Sequence, residues 1–276
     1  MENVDPVNYS QLKSQQALYG SPFRFALSYL TPEYIKRHCP QKARILDIGC
    51  GSGRYALYFV DAGIRGEYVG VDCDEKTWAD EQIPEDFLRQ FVRLDAHNLD
   101  KLEPGFDFAI SLTAFEHFED DAKVMRGLAE VLKKGGKALI VVPSAYSFAL
   151  YGRHGFRRYT QGSIKALCRQ ADLEIATMQK VGGAFSWLFH FFWFFPAHIA
   201  RLAVKAGIYA LFGANKEKAR KRLPRLLFFL DELGGHHLKW KPTRLLHGLL
   251  IRWADRADRL LPFLEAGYIF VLSKGV

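Results

Sequence analysis

One turn restricts this chain more than any other stretch of its 276 residues: Asp47-Ile48-Gly49-Cys50-Gly51-Ser52-Gly53, set between an apolar strand-like run and a helix-like run. Three glycines at alternate positions let the backbone bend sharply and let a ligand come close to the main chain. The helix that follows offers amide donors at its N-terminus. Around this turn the chain keeps a steady rhythm. Strand-like runs fall at 43–48, 67–71, 91–94, 106–112, 137–142 and 173–181, and helical stretches at 22–37, 54–61, 120–133 and 161–171. Strands that alternate with helices predict a parallel sheet covered on both faces. The rhythm breaks after residue 181 and returns with a final strand at 267–273. The expected organisation is an N-terminal helical segment over 1–40, a core over 41–181 and 266–276, and an inserted region over 182–265.

The spacing within the turn separates two kinds of cofactor. A dinucleotide loop reads G-x-G-x-x-G, which needs a glycine at 54, where this chain has Arg54. Asp47-x-Gly49-x-Gly51-x-Gly53 after an apolar strand instead resembles the first motif of the class I, Rossmann-like S-adenosylmethionine-dependent methyltransferases. Further landmarks of that superfamily follow in order. Asp72, with Cys73 beside it, ends the second strand, where the resemblance implies a carboxylate for the ribose hydroxyls. Asp95-Ala96 ends the third, at the adenine-contacting position. Phe106 to Leu112 resembles the fourth strand, whose end at Ser111 and Leu112 borders the cofactor, and Val131 to Gly136 resembles the run into the fifth. The resemblance implies an α/β fold with a seven-stranded, mostly parallel sheet, an antiparallel last strand, and a helical insertion between the last two strands. It also implies that Asp47, Gly49, Cys50, Gly51 and Gly53 hold the methionine end of S-adenosylmethionine. Taken alone, Asp72 and Asp95 read more readily as helix caps or turn formers, and it is the glycine turn upstream that favours the ligand reading.

Ligands in such sheets bind beyond the carboxyl ends of the strands, so the loops after the fourth and fifth strands are the places to look for chemistry. Glu116-His117 resembles a pair common in the small-molecule branch that includes the quinone-biosynthesis methyltransferases. Imidazole suits a general base near neutrality, and His117 is read either as that base or as a packing residue. His154-Gly155-Phe156-Arg157-Arg158-Tyr159-Thr160 resembles a segment near the substrate mouth of the same branch, which makes His154 and Tyr159 further catalytic candidates. Arg157 and Arg158 are able to meet an anionic group, and Thr160 is equally able to cap the next helix.

Absences narrow the chemistry. No Asn/Asp-Pro-Pro-Tyr/Phe follows the fourth strand, which disfavours methylation of adenine, cytosine or glutamine amines. Neither Cys50 nor Cys73 lies in a Pro-Cys pair, as a cytosine-C5 enzyme needs, and no Asp/Asn cluster suggests a magnesium site. Four scattered cysteines with no metal spacing suit a reducing cytoplasm, and the first residues lack the basic and apolar regions of a secretory signal. The expected function is O- or C-methylation of a small-molecule or lipid-like acceptor.

The inserted region differs in composition. Residues 185–195 include eight aromatic side chains, and 196–260 hold 14 Lys and Arg against 5 Asp and Glu, a balance of +9 where the whole chain carries +8. The apolar run is interrupted by Ser186, His190, Pro196 and His198, too soon for a membrane span. Amphipathic stretches at 202–212 and 245–261 flank the basic run from Lys216 to Arg222, a combination that fits helices lying in an anionic membrane interface. A plain substrate lid and an RNA-binding face are the competing readings, as are RNA methylation and a non-catalytic, membrane-bound cofactor sensor.

Overall fold

A computed structural model describes residues 22–74, 86–147, 155–213, 215–223, 241–261 and 263–275. Its elements in chain order begin with α1 (Pro22–His38), β1 (Lys42–Ile48), α2 (Ala56–Asp61), β2 (Arg65–Asp72), β3 (Phe87–Arg93) and β4 (Phe106–Leu112). There follow α3 (Asp121–Val131), β5 (Leu132–Pro143), α4 (Gln161–Gln170), β6 (Leu173–Val181), α5 (Ala184–Phe189), α6 (Phe195–Leu211), α7 (Lys216–Arg222), α8 (Lys241–Asp258) and β7 (Gly267–Lys274). The chain divides into two compact units: one holds 27–181 and 264–276, and the other holds 182–263 with the start of α1.

The seven strands form one sheet in the order β3-β2-β1-β4-β5-β7-β6. All neighbouring pairs are parallel except those of β7, which runs antiparallel to both β5 and β6. The fold is therefore the α/β arrangement expected, with an antiparallel last strand. Its strand order reverses between β1 and β4, which opens a crevice at their carboxyl ends.

Central strands are buried on both faces, so they read as continuous apolar runs. In β4 every residue but Asp107 is buried, and in β7 all of Gly267 to Leu272. One face carries Leu46, Ile48, Ala109 and Ile140 under Val124, Leu128 and Ile164 of α3 and α4. On the other, Phe59 of α2 meets Tyr68 and Phe108 edge-on, each at 6.1 Å between ring centroids. A fully buried side chain of this size contributes about 1.5–3 kcal/mol.

Several boundaries differ from the sequence reading, three of them instructively. Strand β3 starts at Phe87 rather than 91, because it lies at a sheet edge and places polar Arg89 and Gln90 within the strand. Helix α3 ends at Val131, and β5 begins at once with Leu132. Lys133 to Gly136 then bulge out of register, since Leu132 pairs with Phe106 but Lys137 pairs with Phe108. The long helix expected at 202–212 begins at Phe195, directly after a π-helical turn over His190–Phe194.

In the second unit, Asp258 at the end of α8 caps α5. Its carboxylate accepts the Phe185 and Ser186 amides at 2.8 and 3.2 Å, together with the Ser186 hydroxyl. Among the described residues, no helix is long and apolar enough to cross a membrane.

Candidate active site

The glycine turn sits at the carboxyl end of β1, beside the reversal in strand order. All three glycines have positive φ, at 74°, 55° and 71° for Gly49, Gly51 and Gly53, a region that other residues enter only at a cost. The turn is tied to the end of β2. The Gly49 and Cys50 amides donate to the Val71 carbonyl at 2.8 and 3.1 Å, and the Gly51 amide donates to Asp72 Oδ2 at 2.9 Å. Asp72, half buried, thus braces the turn on one side and keeps capacity to accept from a ligand on the other. Around Gly51 the site is open: a Cβ there would meet nothing within 4 Å. Gly49 is the opposite case, because its Cβ would come within 2.6 Å of the Ala114 Cβ. Loops after β1 and β4 are packed so closely at that point that only glycine fits.

Asp47 is buried beneath the turn and accepts a short hydrogen bond from the Tyr68 hydroxyl. Burial pushes its carboxyl up to about 7, against the pull of that hydrogen bond and with a push from Asp72. Cys50 is buried, with its thiol against the Gly51 carbonyl. Cys73 is exposed beside Asp72; Asp72, Cys73 and Asp74 bring potential ligand atoms within 4.8 Å of one another. Asp95 is 58% exposed on its side chain and caps the 3-10 turn Ala96–Lys101, whose first residue, Ala96, is buried. The backbone N–H of His97 draws the Asp95 carboxyl below its ordinary range, with a contribution from the His97 ring. Ser111 points inward and donates to the Ile48 carbonyl at 2.9 Å, clamping β4 to β1, and Leu112 is buried at the end of β4. Among these positions, then, it is Gly51, Asp72 and Asp95 that combine room or accessible acceptors at the carboxyl edge.

The loop after β4 opens with Thr113 at φ 56°, a strained conformation for a β-branched residue and one that functional loops tend to hold. Glu116 follows in a short 3-10 turn and is buried, with no hydrogen-bond partner for Oε2 among the described residues. Burial pushes its carboxyl up to about 7, although its own backbone amide and Arg158 pull the other way. His117 next to it is exposed, and its Nε2 lies 4.0 Å from Glu116 Oε1. A strap of chain crosses this pair. The Phe156 amide donates to the Glu116 carbonyl at 2.7 Å, and a Cβ on Gly155 would come within 2.4 Å of that same oxygen.

Two residues of the 154–160 segment find partners within the chain. Arg157 pairs with Asp121 and donates to the Glu119 carbonyl, so its positive charge is already met within the chain. Tyr159 is buried, and its hydroxyl donates to Asp121 Oδ2 at 2.8 Å and lies 3.1 Å from the Phe115 carbonyl. Burial raises its phenol far above the usual range, with Asp121 adding to the effect. A phenol so placed anchors Asp121. Thr160 caps α4 in a capping box with Ser163. His154 lies outside the described residues.

Sequence reasoning missed Glu116 as a candidate in its own right, since only burial distinguishes it from a surface glutamate. It also missed Thr113 and Asp121. Their roles depend on backbone strain and on a partner 36 to 38 residues away, neither of which has a sequence signature.

A methyltransferase domain family matches residues 46–140, the span that holds the turn, Asp72, Asp95 and Glu116-His117. The chain carries a class I, S-adenosylmethionine-dependent methyltransferase core. A ubiquinone biosynthesis O-methyltransferase from Pseudomonas aeruginosa is 28% identical over 152 residues, which cover 48% of this chain and 65% of that one. The counterpart from Nitrosococcus oceani is 25% identical over 202 residues, 64% of this chain and 85% of that one. The chain thus spans about two thirds of the Pseudomonas relative's length. Among solved structures, a putative sarcosine dimethylglycine methyltransferase from Galdieria sulphuraria is 15% identical, with a TM-score of 0.50 over 90% of this chain and 86% of that one. The 4+2 cyclase SpnF has the same TM-score at 16% identity, covering 90% and 81%. A methyltransferase-like core therefore also occurs in a protein named for another reaction, and the assignment of chemistry rests on the site residues.

Proposed function

We propose that this protein transfers a methyl group from S-adenosylmethionine to a hydroxyl or carbon acid of a small, lipid-like aromatic acceptor, with Glu116 and His117 as the proton-accepting pair. The observation that carries this reading is the placement of the pair: a buried carboxylate with an unpartnered oxygen, 4.0 Å from the imidazole of an exposed histidine, on the loop that packs against the glycine turn. The residues present fit the cofactor. Gly51 leaves open space beside the turn for its methionine end, Asp72 presents carboxylate oxygen for the ribose, and Asp95 does so for the adenine. S-adenosylmethionine supplies an electrophilic methyl on sulfur, so the protein's own task is alignment and proton removal. His117 takes the proton from the acceptor, and the ionised Glu116 behind it orients and stabilises the resulting imidazolium, a closure of about 1 Å from the present 4.0 Å being enough to make the hydrogen bond. The names of the relatives support an aromatic hydroxyl as the acceptor group.

The second unit supports a membrane-surface setting. Apart from Leu88, Tyr146 and Phe156, the large apolar side chains that stand exposed among the described residues lie between 188 and 263. On α8 the side that buries Ile251 and Ala254 is apolar, yet so is a second side, where Leu246, Leu249 and Trp253 are exposed beside Arg252 and Arg256. An exposed apolar stripe flanked by cations suits a helix seated in an anionic interface, where each nearby Lys or Arg adds about 1 kcal/mol.

The test of the reaction is formation of S-adenosylhomocysteine from S-adenosylmethionine with a panel of hydroxylated aromatic acceptors, with and without a prenyl tail. Turnover in the wild type that is lost in His117→Ala supports the proposal, and equal turnover in the two refutes the pair. For the membrane setting, flotation with anionic vesicles at low salt, reduced by Leu249→Glu with Trp253→Glu, is the expected result. No flotation with anionic vesicles overturns it.

A further inference from the structure

A single side chain, His97, joins the two ends of the proposed site. Its backbone N–H and its Nδ1 both meet Asp95 Oδ1, at 2.9 and 2.6 Å, which leaves Asp95 Oδ2 outside these bonds. Its other ring nitrogen, Nε2, accepts the backbone N–H of Asp120 at 3.1 Å. A ring nitrogen that accepts from an amide carries no proton, so the proton sits on Nδ1 and is donated to Asp95. The tautomer is thereby set by both partners at once. Phe118 meets the ring edge-on at 6.1 Å and 77°, and Phe115 in turn packs on Phe118 at 5.3 Å. Asp120 closes the loop that begins at Thr113 and carries Glu116 and His117, and its own side chain caps α3 by accepting the Lys123 amide at 2.9 Å.

We infer that His97 is a positioning residue that couples the adenine end of the cofactor site to the acceptor loop: its Nδ1–H aims the Asp95 carboxylate, and its Nε2 holds the loop through the Asp120 amide. The inference rests on Asp95 contacting the cofactor as proposed above. Through this link, a ligand that fixes Asp95 also restrains residues 113–120, so cofactor binding prepares the loop on which proton removal depends. Coupling of this kind is a shared restraint, needing no large movement.

Two conservative substitutions separate the two bonds. In His97→Asn the side-chain NH2 reaches the place of Nδ1–H and can still donate to Asp95, but nothing reaches Asp120. In His97→Gln the carbonyl oxygen reaches the place of Nε2 and can still accept from Asp120, but the donor to Asp95 is gone. The measurements are the affinity for S-adenosylhomocysteine by calorimetry and amide hydrogen exchange of the peptide spanning 113–121 with and without saturating S-adenosylhomocysteine. In the wild type, the ligand should slow exchange of that peptide. His97→Asn should keep the affinity within about twofold and lose the ligand-induced protection. His97→Gln should weaken the affinity about tenfold, the scale of one charge-assisted hydrogen bond, and also lose the protection, because the link to Asp95 is broken. Equal affinities of the two variants, or protection that survives in either of them, overturns the coupling. Wild-type protein that does not bind S-adenosylhomocysteine sinks instead the cofactor site on which the coupling rests, and the calorimetry alone reveals that outcome.

Discussion

The two halves of the site, divided at the reversal between β1 and β4, are built in contrasting ways. On the β1–β3 side, the groups meant for the cofactor are backbone and carboxylates at strand ends, and they lie at an open edge: Gly51 with free space beside it, Asp72 half buried, Asp95 more than half exposed. On the β4–β5 side, the polar side chains are turned into the protein. Asp121, Arg157 and Tyr159 satisfy one another, and Glu116 is buried beneath the Phe156 strap. One half is shaped by where the backbone leaves room and the other by which buried charges find partners. A cofactor common to a superfamily needs only the first kind of construction. Proton removal benefits from the second, because a carboxylate kept from water stabilises a neighbouring imidazolium more strongly than a solvated one does.

The largest effect should come from closing the open half. Gly51→Val places a branched side chain at φ 55° and fills the space beside the turn, so binding of S-adenosylhomocysteine should fall below detection by calorimetry while circular dichroism stays that of a folded protein. Retained binding would mean that the turn does not face the cofactor. In the buried half, Glu116→Gln should leave that affinity within about twofold and lower kcat by up to about 10⁴, the effect of removing the carboxylate that orients and stabilises a proton-accepting histidine. A fall in affinity with unchanged kcat would reverse the roles given to the two halves.

The buried half also has a signature in stability. Glu116 titrates near 7 in the folded chain and in the ordinary carboxylate range when unfolded, so folding favours its protonated form. Its stabilising contribution is full below the unfolded value and is lost as pH rises through about 7. Asp47 acts in the same direction. Urea unfolding at a series of pH values should show stability declining between about pH 4.5 and 7, with a total change on the order of 3 kcal/mol from Glu116, and Glu116→Gln should flatten that part of the curve. The same decline in the variant would assign the effect to Asp47 alone.

The contrast between the halves also sets what was legible in the sequence. Strands β1, β2 and β4, the glycine turn and the positions of the aspartates at the strand ends could be read because apolar runs and a turn of three positive-φ glycines demand fixed residue types at fixed spacing. The edge strand β3 was read four residues late, because half its surface faces water and its apolar pattern is diluted by Arg89 and Gln90. Arg157 and Tyr159 looked like substrate groups because a sequence does not show that Asp121, on a different element, already satisfies them. Glu116 is the mirror case: its neighbour His117 attracted attention by residue type, whereas the chemistry of Glu116 comes from burial alone. Of the inserted region, the sequence revealed amphipathicity but not that α8 has two apolar sides, one buried and one exposed.

A smaller effect, about 1.5–3 kcal/mol in affinity for S-adenosylhomocysteine, is expected for Asp72→Ala, with Asp95→Ala weaker because that carboxylate is more exposed. The Asp72 variant has a second consequence, since the Gly51 amide loses its acceptor and the turn loosens. Asp72→Asn keeps an oxygen for that amide and removes the charge, so an affinity between those of wild type and Asp72→Ala would separate the brace from the ligand contact. Equal losses in the two variants would assign the whole effect to charge at the ribose.

The smallest effect tests whether the buried half has been divided correctly between structure and chemistry. Tyr159→Phe removes one hydroxyl and leaves the ring in place between Asp121 and the β5 end. Asp121 keeps its Arg157 partner, so the carboxylate is not stranded, and the cost should be that of one buried hydrogen bond, about 1 kcal/mol in urea unfolding. Because the phenol is buried and its proton is held far more tightly than in water, kcat should stay within about twofold of wild type and the pH profile should not move. A drop in kcat of a hundredfold at nearly unchanged stability would return Tyr159 to the chemistry that its sequence context suggests. It would also mean that the Phe156 strap opens during turnover, exposing a hydroxyl that the present structure holds against Asp121 and Phe115.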